Sequence, residues 1–288
     1  MRKILVGLDL TEMDAILIEY AAFLGYAFDS IEEVIFFHNI KFDYPDEAAA
    51  IVDRLEKPLI EVVREELNGR IASHFEQKDH KITTRLIVEE KDATAGAVAR
   101  TSRVEGVDLI LLGKKDTYIG SGILIDRLLN INELKTPVLL TPEYAFHRIS
   151  KILVPVDFSE NARSALHAAQ RWRESLPAEL SCLHVYTIPI HFFPYIPMDD
   201  MHEAMERDAE KSYRKFVQKI EPKPEGAFLP ARDRGIAQAI QDYAVRHNHD
   251  LVVVGAKGTS ALASLFVGSV TQRLLKLKMH IPVLVVKH

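Results

Sequence analysis

A single cysteine, Cys182, is all the thiol chemistry that 288 residues contain. One thiol cannot close an internal disulfide, so the chain suits a reducing compartment, and its setting in ELSCLHVYTI reads as a buried strand position. Long apolar runs are missing as well. No stretch approaches the roughly 18 apolar residues of a membrane helix. Asp9, Glu12 and Asp14 interrupt the opening MRKILVGLDLTEMD where a signal sequence needs an apolar core. The expectation is a cytoplasmic protein that binds no membrane. Positive charge is not in excess: the net charge of −5 offers no footprint for nucleic acid. No Gly-Lys-Ser/Thr ends a P-loop, no glycine-rich turn follows the first strand as a dinucleotide fingerprint requires, and no GxSxG marks a nucleophile elbow. Fast P-loop phosphotransfer, dinucleotide-dependent redox chemistry and hydrolase-type catalysis are thereby disfavoured.

What is present is written twice. RKILVGLDLTE (Arg2 to Glu12) and SKILVPVDFSE (Ser150 to Glu160) match at an offset of 148 residues. VDLILLGKKDT (Val107 to Thr117) and HDLVVVGAKGT (His249 to Thr259) match at 142, and TPVLL (from Thr136) and IPVLV (from Ile281) at 145. Three matches in one order at nearly one offset indicate a duplicated domain. The segment TPEYAFHRIS, Thr141 to Ser150, carries the join, and the domains are expected at 1–146 and 147–288.

Each copy alternates short apolar, β-rich runs with helical ones. Copy one offers KILVGLD, EVIFFHNI, ITTRLIVEE, DLILLGK and PVLLT as strands; copy two offers KILVPVD, ELSCLHVYTI, GAFLPA, LVVVGA and PVLVV. Between them, ENARSALHAAQRWRESL and RGIAQAIQDYAVRH have helical periodicity. Apolar strands alternating with helices predict parallel strands covered on both faces. The expected fold is two tandem doubly wound, five-stranded parallel-sheet domains of Rossmann-like type. Ligands in such sheets sit outside the carboxyl ends of the strands, at the switch in strand order.

The stretch GAKGTSALASLFVGSVTQRLL, Gly255 to Leu275, points to that crevice. Gly255 and Gly258 let an anion approach backbone without a Cβ in the way. Gly268 and Ser269 stand where a helix begins, and its free N–H groups and positive end favour phosphate. The alternative is that these glycines serve turns alone.

The spacing Gly255-x2-Gly258-x9-Gly268-Ser269, with KILVPVDFSE upstream and IPVLVV at the end, resembles the universal stress protein family across nearly the whole chain. The resemblance implies a five-stranded α/β fold, ATP binding where the loop is intact, pairing of domains through their last strands, and a role in stress tolerance. It implies that Pro155, Val156 and Asp157 hold the adenosine and that Val185 meets the adenine. Gly255, Ala256, Lys257 and Gly258 would follow the ribose and phosphates, and Gly268, Ser269, Val270 and Thr271 would bind the phosphates. Mg²⁺ or Mn²⁺ would be held through the phosphates, since no carboxylate cage is evident. The tandem copies would form a pseudo-dimer within the chain, with a homodimer or another protein partner as further associations.

Copy one departs from the pattern. Arg127 follows Gly113 by 14 positions, whereas Arg273 follows Gly255 by 18, so its loop is four residues shorter. With the RLL segments aligned, Ile123 replaces Ser269, and Asp116 stands where Gly258 does, placing a negative charge beside a triphosphate. Copy one is expected to keep the fold, to carry a degenerate loop and to serve structurally.

His38 and His184 occupy matching strand ends, which suggests a role in the fold. His247 and His249, in RHNHD, lack further metal ligands and read as a solvated turn. The helical stretch from Asp46 to Phe75 should break or kink near Pro58. The proline- and aromatic-rich segment at 188–198 is a candidate cap or contact surface. The functional expectation is an ATP-binding stress-response protein with no catalytic residues and at most weak ATPase activity. The alternatives are a slow ATP-hydrolysing or adenylyl-transferring enzyme and a nucleotide-free scaffold.

Overall fold

The computed structural model describes residues 1–41, 56–75, 82–91, 93–115, 121–188, 198–231, 234–257 and 267–287. The chain divides into two compact units, Met1–Glu143 and Tyr144–His288, so the division falls inside the join segment.

In the first unit the described elements are β1 (Lys3–Gly7), α1 (Met13–Ala27), β2 (Glu33–Ile40), α2 (Leu59–His74), β3 (Thr83–Glu90), α3 (Thr94–Val104), β4 (Leu109–Lys114), α4 (Ser121–Leu129) and β5 (Val138–Pro142). The second unit has β6 (Lys151–Pro155), α5 (Glu160–Ser175), β7 (Glu179–Tyr186), α6 (Met198–Phe216), β8 (Glu225–Pro230), α7 (Gly235–Arg246), β9 (Leu251–Gly255), α8 (Ser269–Lys276) and β10 (Val283–Val286).

The strand order is β3-β2-β1-β4-β5 in the first unit and β8-β7-β6-β9-β10 in the second. Every registered pair within a unit is parallel, for example Ile4 with Val34 and Leu109, and Ile152 with Leu180 and Leu251. The central strands are apolar because both faces are covered. Ile4, Leu5 and Val6 of β1 are fully buried, as are Ile152, Leu153 and Val154 of β6. The edge strand β3 keeps polar residues, and Arg85 pairs there with Glu33 and Glu105.

The repeat extends to backbone special positions. Gly106 (φ 61°) and Asn248 (φ 54°) take left-handed conformations in the matching turns that lead from α3 to β4 and from α7 to β9. Pro58 does not kink a described helix: it stands at the N-cap of α2, with φ −53°, where its missing N–H costs nothing. The part of that stretch at 46–55 lies outside the described residues, and so does 189–197 of the proline-rich segment.

Both reversals of strand order, between β1 and β4 and between β6 and β9, place a crevice at the carboxyl ends of the central strands.

Candidate functional site

The second-unit crevice is built from turns whose side chains hold one another. At the end of β6, Asp157 Oδ1 accepts hydrogen bonds from the backbone N–H of Ser159 (3.1 Å) and from its hydroxyl (2.6 Å). The same Ser159 oxygen accepts from Ala162 N–H at 3.1 Å and caps α5. Between them, Phe158 takes a left-handed φ of 64°. That conformation is costly for a residue with a Cβ. Phe158 stacks on His184, with centroids 4.5 Å apart, and meets Phe216 edge-on. His184 Nδ1 donates to the Val156 carbonyl at 2.8 Å, and His38 Nδ1 donates to the Leu8 carbonyl at 2.9 Å. The two histidines therefore lock the same turn in both units.

At the end of β9, a Cβ on Gly255 would sit 2.8 Å from the Asn161 backbone, so only glycine allows α5 to approach this closely. The glycine loop is pinned at both ends. Ala256 N–H donates to the Val286 carbonyl, Gly268 N–H donates to the Ala256 carbonyl at 2.7 Å, and the Thr271 hydroxyl donates to the Gly255 carbonyl at 2.8 Å. Gly268 is the N-cap of α8, extended and without a side-chain cap. The first-turn N–H groups of an α-helix have no intrahelical partner, and here they border the crevice.

These turns enclose a cavity of about 290 Å³, close to the lower bound of small-molecule sites. Of the residues expected to hold a ligand, Pro155, Val156, Asp157, Val185, Gly255, Lys257, Gly268, Ser269, Val270 and Thr271 line it. Ala256 is buried behind the lining, and Gly258 lies outside the described residues. Five further lining residues went unnoticed in the sequence: Ala162, Leu183, Ile236, Ile240 and Val254. Ile236 and Ile240 are four apart on α7 and make an apolar wall; their spacing on one face of RGIAQAIQDYAVRH was the available signal. No group of three or more potential metal-ligating His, Cys, Asp or Glu side chains occurs among the described residues.

In the first unit the corresponding turn is held differently. Asp14, fully buried in α1, accepts the N–H groups of Asp9 (2.8 Å) and Leu10 (2.9 Å) and meets Arg70 at 3.3 Å. Lys115 is paired with Asp9 at 2.7 Å. Burial pushes the Asp9 carboxyl up, but the hydrogen bonds from Lys115 and Thr11 outweigh it and hold it below the usual range. Helix α4 begins at Ser121, so Gly122, the match of Gly268, lies inside the helix and does not cap it. Asp116 lies outside the described residues.

The reading of His247 and His249 as one solvated turn needs correction. His247 is exposed, but His249 is buried, with Nε2 2.9 Å from the Ser181 hydroxyl. It precedes β9, at the end of the strand away from the cavity, and burial lowers its affinity for a proton. Cys182 is buried as expected, and burial pushes its thiol up to about 12.

The model of the universal stress protein family matches residues 148–287. The chain is similar to the universal stress protein YxiE of Bacillus subtilis, with 29% identity over 147 residues, covering 48% of this chain and 99% of that protein. It is also similar to the universal stress protein MJ0531 of Methanocaldococcus jannaschii, with 26% identity over 141 residues, covering 48% of this chain and 81% of that one. Among solved structures, a universal stress protein from Archaeoglobus fulgidus has a TM-score of 0.63 at 18% identity, covering 99% of this chain and 96% of its own. The protein PA1789 of Pseudomonas aeruginosa has a TM-score of 0.64 at 19% identity, covering 100% of this chain and 92% of its own. At these identities the two structures speak to the fold. No described helix is long and apolar enough to cross a membrane.

Proposed function

Residues 148–287 belong to the universal stress protein family, and from that premise we propose that the second unit is an ATP-binding domain of a stress-response protein. The observation that carries the proposal is the convergence on one cavity of Asp157, Gly255, Lys257 and the N-terminus of α8. Leu183, Val185, Ile236 and Ile240 supply apolar walls for a flat base. Asp157, oriented by Ser159, is the acceptor for ribose hydroxyls. Lys257 and the first-turn N–H groups of Ser269 and Val270 are the positive groups for the phosphates. ATP bound there would carry Mg²⁺ or Mn²⁺ on its own phosphates. The first unit is the structural companion and does not take the triphosphate.

Isothermal titration of the full chain with ATP and Mg²⁺ tests this reading. One ATP per chain is expected, with affinity reduced about tenfold or more by Asp157→Ala, which removes a charge-assisted acceptor. Two ATP per chain, or none, would count against it.

A further inference from the structure

The duplication supplies its own comparison for the buried histidine of the second unit. His249 matches Val107, and both stand just before the fourth strand of their unit. The His249 N–H donates to the Ala244 carbonyl at 2.9 Å, as the Val107 N–H donates to the Ser102 carbonyl at 3.0 Å. Ser181, which meets the His249 ring at 2.9 Å, matches Ile35: the two pair with Leu153 and Leu5, the same place on the central strands. Val107 and Ile35 are buried. One backbone arrangement thus accepts two apolar side chains in the first unit and a polar pair in the second. Polar groups set where apolar ones fit cost stability, so the fold alone does not call for this pair.

The setting of His249 accepts the neutral ring and resists the charged one. Nε2 lies 2.9 Å from the Ser181 hydroxyl, whereas Nδ1 is buried with no hydrogen-bond partner among the described residues. An imidazolium carries two N–H donors, and one of them would stay unmet. The charges around the ring are mixed. Tyr243 and His247 face it from the end of α7, Lys151 from the start of β6 and Asp250 from its own segment. Glu225, at the start of β8, acts on Tyr243. Lys151 is itself paired with Glu179 of β7 at 3.8 Å, and Asp250 with Arg148 at 3.0 Å. Burial is the largest influence and lowers the affinity of the ring for a proton. The Ala244 carbonyl and Asp250 oppose it, and His247 and Lys151 add to it.

What the pair joins gives the proton a consequence. His249 is tied through its N–H to the last turn of α7 and through its ring to β7, and α7 packs on β7. The other end of α7 carries Ile236 and Ile240, which wall the cavity. Nδ1 is closed to solvent while the pocket is shut, so the ring takes up a proton when it leaves the pocket.

We propose that His249 and Ser181 form a proton-operated clasp between α7 and β7 of the second unit. The neutral ring keeps the end of α7 on the sheet. The charged ring belongs to an open form in which that contact is released and the apolar wall of the cavity loosens. Because burial depresses the closed-form value, closure is fully favoured above the ordinary histidine value, near ~6.5. It is lost progressively as pH falls from there toward the closed-form value. The clasp does not depend on what the cavity holds, so its test uses the chain without ligand.

Hydrogen exchange of the full chain between about pH 7.5 and about pH 5.5, corrected for the intrinsic pH dependence of exchange, reads the clasp. Protection of α7 and of the starts of β7 and β9 should fall by up to about tenfold per pH unit below ~6.5, the limit for one proton. The matching amides of α3, β2 and β4, where Val107 and Ile35 stand, should not follow. The double variant Ser181→Ile, His249→Val copies the first unit and should lose the pH dependence while keeping the fold. His247→Gln should keep the dependence, since His247 is exposed. Four results overturn the proposal: constant protection of α7 over this range, an equal loss in the first unit, a loss that survives in the double variant, or one that vanishes in His247→Gln. If the double variant does not fold, the two units of the parent chain and His247→Gln still decide.

Discussion

Asp250 shows how much one side chain can organise. Its carboxylate, nearly buried, accepts from the N–H groups of Ser150 (2.8 Å) and Lys151 (3.1 Å), from the Ser150 hydroxyl (2.6 Å) and from Arg148 (3.0 Å). It thereby ties the start of β9 to the start of β6, and Asp108 does the same for Lys3 at the start of β1. Truncation to alanine leaves the part-buried donors of Ser150 and Lys151 unmet and should cost about 2 kcal/mol, read from urea unfolding. Burial pushes the Asp250 carboxyl up, but the hydrogen bonds from Ser150 and Arg148 outweigh burial and hold the folded value below the ordinary one. A depressed folded value gives stability that is present above the unfolded value, near ~3.9, and lost as pH falls through the folded value. Asp250→Asn should therefore be less stable than the parent at neutral pH and lose less on acidification. Asp14 has the opposite sign. Burial pushes its carboxyl up, and its N–H donors offset that only in part. Its contribution is present below the unfolded value and fades as pH rises through the folded one. Urea midpoints that fall in parallel for parent and Asp250→Asn below about pH 4 would refute the assignment of that acid limb to Asp250.

Among the elements, the helix starts distinguish the two units. Helix α5 opens on Ser159, a capping residue whose hydroxyl also orients Asp157; α1 opens on Glu12 with no side-chain cap. Ser159→Ala should cost about 1 kcal/mol as a lost cap. It should also weaken ATP binding, because the Asp157 carboxylate loses a fixed rotamer; an unchanged affinity would separate the cap from the site. The element order was legible in the sequence for a physical reason. Strands buried on both faces must be short apolar runs, and KILVG, LILLG and LVVVG can be little else when amphipathic helices separate them. The glycine-loop side of the cavity was legible because glycine and a helix-capping position have few other uses in that order. The wall that α7 supplies was not. Ile236 and Ile240 obey the same periodicity that packs any helix on a sheet, and only their place at the carboxyl edge turns a core face into a cavity wall. His249 escaped for a related reason: an HxH pair with Asn248 between and Arg246 and Asp250 on either side looks like a solvated turn, and its burial comes from β7, which brings Ser181 to the ring.

For the whole molecule, duplication has produced two similar folds, and a single tryptophan allows them to be read apart. Trp172, the only tryptophan in the chain, lies on the buried face of α5, and α5 packs against β9 and β10. Its fluorescence therefore reports the second unit, while far-ultraviolet circular dichroism reports both. A ligand that binds only the folded second unit stabilises that unit by mass action, by about 2.7 kcal/mol at a hundredfold excess over Kd. For a unit of this size that is roughly 6–10 °C in midpoint. ATP with Mg²⁺ should accordingly raise the Trp172 transition by that amount in the parent and in Leu124→Phe, a substitution in α4 of the first unit that leaves the tryptophan count unchanged. In Asp157→Ala the rise should shrink as affinity falls. An equal rise in the parent and in Asp157→Ala would remove the assignment of ATP to the cavity that Asp157 lines.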